Sequence, residues 1–287
     1  MLRHVWERAS LSRYLTGLVV ATDDERIASA VRQFGGRVRL TSSAHLSGTD
    51  RLAEVASAES ANLYVNIQGD EPLIDPEAID AAILAVSGDE SVVMGTLKRQ
   101  IFDATDIINT NVVKVITDLR GDAIYFSRCA IPYERGGSSG EPQYFKHVGL
   151  YVYRRDFLLH YPDLAIGPLE RSERLEQLRA LENGYRIRVV PTEYESLGVD
   201  TPEDLDRVNQ LFLQSRTGHD AAPPNETRPR FSASRSFQIE ETSVDLGRAH
   251  SRFWASGAIP CRRESVVRRS FLESRAPERA VSTSEHV

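Results

Sequence analysis

The sequence predicts an α/β protein with a largely parallel sheet, and three observations carry that prediction. From Met1 to about Gln214, short apolar runs alternate with stretches of helical periodicity. Glycine pairs, a Gly-Asp turn and cap residues stand at the junctions between them. A content of 41% hydrophobic and 26% charged residues is that of an ordinary globular domain, and 287 residues allow one large domain or two small ones.

Taken in order, Leu18 to Ala21 reads as a short buried strand. Asp24 to Phe34 follows as a helix, with Ile27, Ala30, Val31 and Phe34 at helical spacing. Gly35-Gly36 ends that helix and Val38 to Leu40 begins the next strand. Leu52 to Ala56 reads as helix, Leu63 to Ile67 as strand, Ile79 to Val86 as helix and Ser91 to Thr96 as strand. Val112 to Thr117 and Ala123 to Phe126 form a strand pair around Gly121-Asp122. His147 to Tyr153 alternates as a strand, Leu169 to Leu181 reads as one helix, and Arg186 to Val190 as strand. A helix from Pro202 to Phe212 closes the series, with proline in its first turn. From 214 to 287 the composition turns to Ser, Arg, Pro and Glu without a sustained period, which predicts a disordered tail. Within it, His219 to Pro224 is linker-like, and Phe253-Trp254 is a lone apolar patch.

A formal net charge of -6 argues against nonspecific nucleic-acid binding, which needs a basic face. No apolar run is long enough to span a bilayer, and the opening Met1 to Ser10 has no signal-peptide core. Cys129 and Cys261 cannot form a disulfide framework and read as free thiols. The expected location is the cytoplasm.

Ligands of parallel sheets bind beyond the carboxyl ends of the strands, so polar residues there are the first candidates. Asp70, in Gln68-Gly69-Asp70-Glu71-Pro72, follows directly on a strand and is suited to a divalent cation beside phosphates; Gly69 permits close backbone approach. An acidic turn ended by proline accounts for the same residues about as well. Asp200 stands at a second strand-to-helix junction, where Thr201, Glu203 and Asp204 read as helix capping. It gains functional weight only in company with Asp70, since two acids from distant strand ends suit one Mg²⁺. Ser47-Gly48-Thr49-Asp50-Arg51 opens a helix with backbone N–H groups and hydroxyls suited to a base, ribose or phosphate, though it is also an ordinary N-cap. Arg128 follows an apolar strand, and His147, Gly149 and Tyr151 share one strand face; together they could grip a hydroxylated carboxylate.

In sequence order, Ala21-Thr22-Asp23, His45 through Arg51, Asn66 through Pro72, Tyr125 through Pro132, His147 through Tyr151, Leu175 through Arg179 and Gly198 through Leu205 resemble the motifs of the 3-deoxy-manno-octulosonate (Kdo) cytidylyltransferase family. The resemblance covers roughly Met1 to Phe212. It implies a Rossmann-like nucleotide-diphospho-sugar transferase fold with a mixed, mostly parallel sheet, CTP and Kdo as substrates, Mg²⁺ as cofactor, a homodimer and a place in lipopolysaccharide biosynthesis. It assigns Asp70 and Asp200 to the metal, and Thr22, Asp23, Ser47, Gly48, Thr49, Arg51, Gln68 and Gly69 to the nucleotide. Arg128, His147, Tyr151, Glu176 and Gln177 fall to the sugar acid, with Arg128 also among the catalytic residues beside the two acids. A face including Ile131 and Pro132 is the candidate for dimer contact.

The family opens with a strand and a loop of the form I-P-A-R-x-x-S-x-R-x-P-x-K-x-L, whose cations hold the triphosphate. Here Met1 to Ala9 resembles the helix after that loop. The expectation is therefore an N-terminally truncated cytidylyltransferase domain over 1–213, lacking a central strand and with doubtful turnover. The alternatives are a transferase for 8-amino Kdo or a sialic acid, and a non-catalytic remnant.

Overall fold

The computed structural model describes residues 1–45, 47–135, 143–217 and 252–256, with 215–217 and 252–256 as backbone. Cys261 and the predicted linker at 219–224 lie outside them. The strands are β1 (Leu18–Thr22), β2 (Val38–Leu40), β3 (Leu63–Gln68), β4 (Met94–Gln100), β5 (Lys114–Thr117), β6 (Ala123–Ser127), β7 (Phe145–Arg154), β8 (Ile187–Pro191) and β9 (Arg252–Ser256). The helices are α1 (Leu2–Ala9), α2 (Glu25–Gln33), α3 (Gly48–Ala58), α4 (Pro76–Ser87), α5 (Ala104–Ile108), α6 (Arg155–His160), α7 (Pro168–Glu173), α8 (Gln177–Glu182) and α9 (Pro202–Thr217).

One sheet runs in the order β2-β1-β9-β3-β7-β4-β8, with β5 joined to β7 and β6 to β5. The pairs β2/β1, β1/β9, β9/β3 and β4/β8 are parallel, while β7 runs against both β3 and β4. This is the mixed, mostly parallel α/β sheet predicted. Alternation along the strands sends side chains to two cores. Val20, Val65 and Ile67 pack with Val5, Ile79 and Ile83 on one face. Val19, Ala21 and Tyr64 pack with Val55, Tyr153, Phe157 and Leu178 on the other.

The local chemistry explains the element ends. Asp24 caps α2 by accepting from the Arg26 amide, and Gly35 ends it at φ 80°. Asp75 caps α4 from the Glu77 amide, with Pro76 in the first turn. The single helix predicted over 169–181 is instead broken. Arg174 takes a left-handed conformation at φ 54°, separating α7 from α8. A buried pair, Arg179 Nε to Glu170 Oε2 at 2.8 Å and Nη2 to Oε1 at 2.6 Å, ties the two pieces together. The break frees Glu173 and Glu176 to point to different partners.

The largest departure concerns the tail. Helix α9 runs through the expected boundary at 213 to Thr217, and Arg252–Ser256 forms a strand rather than disordered chain. That strand fills the place between β1 and β3, in register Phe253 with Leu18 and Val65, and Ser256 with Ala21 and Gln68. The reason is backbone chemistry. Facing edges of β1 and β3 carry donors and acceptors that are costly to leave unpaired in a core, and the β9 backbone pairs with both.

Two outcomes follow. A chain ended at Thr217 loses β9, and its melting temperature in a thermal scan is expected to fall by roughly 10 °C or more; an unchanged value would mean that β9 contributes nothing to the sheet. Asp122 sits 6% exposed between Arg188, whose Nε donates at 2.7 Å, and Arg186, whose Nη2 donates at 2.5 Å. Burial pushes its carboxyl up, but these two arginines outweigh it and hold it below the ordinary carboxylate value. Its contribution is therefore present above about pH 4 and lost as pH falls through the depressed value. Asp122→Asn should destabilise by about 1–3 kcal/mol at pH 7 in urea titration, with the difference from the parent shrinking toward pH 2.

Candidate active site

The carboxyl end of β3 carries Gln68, Gly69 and Asp70 out of the sheet. The Val199 amide donates to the Asp70 carbonyl at 3.0 Å, fastening the 198–200 segment beside it. A β-carbon at Gly198 would stand 3.7 Å from Asp70 Oδ2, so the absence of a side chain there keeps that oxygen clear. Asp70 Oδ1 is buried and has no hydrogen-bond partner. Burial, aided by the charge of Asp200, pushes the Asp70 carboxyl above its ordinary value. The charge of Asp200, in the loop that leads from β8 into α9, is thus felt at Asp70, one of whose oxygens lacks a partner.

Asp200 itself is exposed. The helix cap beside it is built by others: Asp204 Oδ2 accepts from the Thr201 amide at 3.0 Å and hydroxyl at 2.9 Å, and Thr201 Oγ1 accepts from the Asp204 amide at 3.2 Å. Glu71, which the sequence leaves unassigned, is a brace. Its buried carboxylate accepts from the Tyr194 hydroxyl at 2.8 Å and the Ser196 hydroxyl at 2.5 Å, pinning the 194–200 segment to the turn after β3. Among the described residues no group of three or more His, Cys, Asp or Glu side chains is arranged to hold a metal. A cation at Asp70 and Asp200 therefore needs ligand or water oxygens to complete its shell, which is how Mg²⁺ ordinarily binds.

The residues assigned to the nucleotide line the neighbouring strand ends. Thr22 ends β1 and its hydroxyl accepts from the Asp24 amide at 3.1 Å. Arg51 Nη2 lies 3.2 Å from Asp23 Oδ1, and its Nη1 donates to the Thr41 hydroxyl. Ser47 caps α3 by accepting from the Asp50 amide at 3.1 Å, with Gly48 as the first helical residue. Thr49 turns inward, donating to Glu176 Oε2 at 3.1 Å and lying 3.4 Å from the Tyr153 hydroxyl. It therefore joins the residues assigned to the sugar acid rather than those at β1.

Those residues form a polar seam on β7 and α8. His147 Nε2 is 2.9 Å from the Thr96 hydroxyl, and its ring lies edge-on to Phe126 at 5.0 Å and tilted against Tyr151 at 5.3 Å. Burial pushes the imidazole down to about 3, so His147 is neutral near pH 7. Burial raises Tyr151 and Glu176 in turn. Gln177 is buried as the first residue of α8. Asn66, in register with Tyr151 across β3 and β7, has a buried Oδ1 without a partner, a second unmatched polar atom that the sequence reading missed.

Arg128 is held by backbone rather than by the other candidates. Its Nε donates to the Glu173 carbonyl at 2.8 Å and its Nη1 to the Thr110 carbonyl at 3.0 Å, while its amide donates to Glu173 Oε2 at 3.0 Å. No hydrogen bond joins it to Asp70 or Asp200 among the described residues. Lys114, also missed, is 0% exposed and donates to the carbonyls of Asn109 at 2.8 Å, Val112 at 2.6 Å and Arg128 at 2.7 Å. One signal could have found it: a lysine inside an apolar strand pattern must satisfy three N–H groups.

Residues 1–187 match the family described as Cytidylyltransferase. A 3-deoxy-manno-octulosonate cytidylyltransferase of Solibacter usitatus is 68% identical over 215 residues, spanning 75% of this chain and 85% of that protein. Its counterpart in Geobacter metallireducens is 55% identical over 217 residues, spanning 72% and 85%. A solved structure of CMP:2-keto-3-deoxy-manno-octonic acid synthetase complexed with CTP superposes with a TM-score of 0.71 at 40% identity, covering 75% of this chain and 88% of that one.

The Lys114 clamp predicts a stability effect apart from any chemistry. Lys114→Met keeps the length of the side chain but leaves three carbonyls without their donor, and should cost about 2–4 kcal/mol in urea unfolding. A loss under about 0.5 kcal/mol would show that water replaces the ammonium freely.

Proposed function

The chain belongs to the cytidylyltransferase family, and from that premise we propose that it transfers the cytidylyl group of CTP to Kdo, releasing CMP-Kdo and pyrophosphate. The observation that carries the reading is the Val199–Asp70 backbone bond, which fastens the segment ending in Asp200 beside Asp70, in a chain 68% identical to a transferase of that name. Asp70 Oδ1 lacks a hydrogen-bond partner, and this fits a pair of acids that share a Mg²⁺ ion. Bound there with the substrate phosphates, the ion supplies neutralisation of charge at the reacting phosphorus.

The anomeric hydroxyl of Kdo attacks the α-phosphorus of CTP, the bond to the β-phosphate oxygen breaks, and the hydroxyl proton passes to solvent. The protein's part is to bring these atoms together and hold them in line. Ser47, Gly48 and Arg51 at the start of α3 and the ends of β1 and β3 receive the nucleotide, while Thr49 turns to the sugar-acid side. His147, Tyr151, Glu176 and Gln177 receive the sugar acid, with the neutral imidazole offering one donor and one acceptor to hydroxyls. Arg128, whose guanidinium donates to the Glu173 and Thr110 carbonyls, is assigned to the Kdo carboxylate. No covalent intermediate is required, so positioning and electrostatics carry the rate.

This reading assigns the protein to the cytoplasm, as a homodimer that serves lipopolysaccharide biosynthesis. No helix among the described residues is long and apolar enough to cross a membrane.

The test is pyrophosphate release from CTP, Kdo and Mg²⁺. Asp70→Asn and Asp200→Asn should each lower the rate by at least about 10²-fold, with far-UV circular dichroism unchanged. A near-parental rate in either variant removes that residue from the metal site.

A further inference from the structure

Beside the residues assigned to the sugar acid stands a buried polar side chain that the protein does not answer. Asn66 is 3% exposed, and its Oδ1 is enclosed without a hydrogen-bond partner. Enclosing an acceptor without a donor works against the fold. A leucine of similar size would fill the same place without that cost, so packing does not account for an asparagine here.

The face on which Asn66 lies is fixed by its neighbours. Val65 and Ile67 pack into one core and Tyr64 into the other, so alternation along β3 turns Asn66 to the side of Tyr64. Its cross-strand partner is Tyr151, as Tyr153 is that of Tyr64. Cross-strand partners leave the sheet on one face, here the face of His147, Tyr151 and Thr49. Two other polar groups on it are matched: His147 Nε2 lies 2.9 Å from the Thr96 hydroxyl, and Thr49 donates to Glu176 Oε2 at 3.1 Å. The same face has room for a ligand. A β-carbon at Gly149, between His147 and Tyr151 on β7, would meet nothing within 4 Å.

The chemistry of the missing partner follows from the atom. An amide oxygen accepts and does not donate, so its partner must carry an N–H or O–H. Ionised phosphate and carboxylate oxygens offer neither, whereas a polyhydroxylated acid offers several hydroxyls. We infer that Asn66 is a specificity-determining residue, its Oδ1 accepting a hydrogen bond from one hydroxyl of the bound sugar acid. An acid that lacks this hydroxyl leaves Oδ1 unpaired and is disfavoured for that reason. The inference rests on the proposed function for the identity of the acid as Kdo.

The experiment uses the full chain with CTP, Mg²⁺ and either Kdo or Kdo analogues that each lack one hydroxyl. In pyrophosphate release, Asn66→Leu should raise KM for Kdo at least about 5-fold while KM for CTP is unchanged. With the analogue that lacks the paired hydroxyl, parent and variant should have equal KM, a match that a general packing defect would not produce. In urea, Asn66→Leu should unfold at or above the parental midpoint, because an unpaired acceptor has been removed. Asn66→Ala, which cannot crowd its neighbours, is read in the same way for KM. Equal KM for Kdo in the parent and both variants, or one penalty shared by every analogue, would overturn the inference and leave the proposed reaction standing. So would a markedly lower urea midpoint in both variants, since the amide would then serve the fold. A parent that releases no pyrophosphate counts against the proposed reaction instead, and calorimetric Kd values for Kdo in the parent and Asn66→Leu then decide the inference by the same comparison.

Discussion

The architecture depends on what stands between β1 and β3. These two strands run parallel and each has one edge facing the same gap, so neither can satisfy its ladder without a strand placed between them. β1 has only the three-residue β2 on its other side, and β3 has β7. With the gap filled, the sheet is continuous from β2 to β8 and both cores are bounded by it. With the gap empty, Val20, Val65 and Ile67 on one face and Val19, Ala21 and Tyr64 on the other would border a channel through the middle of the protein. The same gap sets the geometry of the candidate site, because the strand ends that flank it carry Thr22, Asp23, Gln68, Gly69 and Asp70.

Around that frame the polar groups divide into those that are answered and those that are not. Glu71, Glu173, Lys114, Asp80 and Asp122 are buried or partly buried, and each has several partners with good geometry. They brace loops: Glu71 the segment before Asp200, Glu173 and Lys114 the segment that presents Arg128. By contrast, Asp70 Oδ1 and Asn66 Oδ1 are enclosed and unmatched. An unmatched buried polar atom is costly, and Asn66 lies on β3 while Asp70 lies two residues past its end, flanking the assigned Gln68 and Gly69. A ligand that supplies the missing partner recovers that cost as binding energy.

Much of this was legible in the sequence, for physical reasons that differ by residue. The strands β1, β3 and β7 announced themselves because burial on both faces leaves a short apolar run. Asp70 stood out because it comes just after a strand, and Asp200 because it comes just before a helix start. The split between α7 and α8 was hidden, since a left-handed arginine has no signal in hydrophobic period; only the contacts of Glu173 and Glu176 with different partners give it a purpose. Glu71 and Lys114 were invisible for a related reason. Their role lies in contacts with Tyr194 and with the Asn109 to Val112 turn, and no local pattern records a partner over 120 residues away or a carbonyl in a neighbouring turn. The tail was misread because Phe253-Trp254 is a strand signal only when an open gap in the sheet waits for it, and composition averaged over the polar residues around it concealed that.

The position of β9 also bears on how the chain reaches its folded state. Contacts between Leu18 and Phe253 join residues more than 230 positions apart in sequence, and such pairings raise contact order and slow folding. On the ribosome, β1 and β3 emerge long before their common neighbour, and at roughly 5–20 residues per second the wait lasts about ten seconds or more. During synthesis the nascent domain holds two unpaired inner edges, so its vulnerability to chaperone capture or to strand exchange with another nascent chain ends only when residues 252–256 clear the exit tunnel.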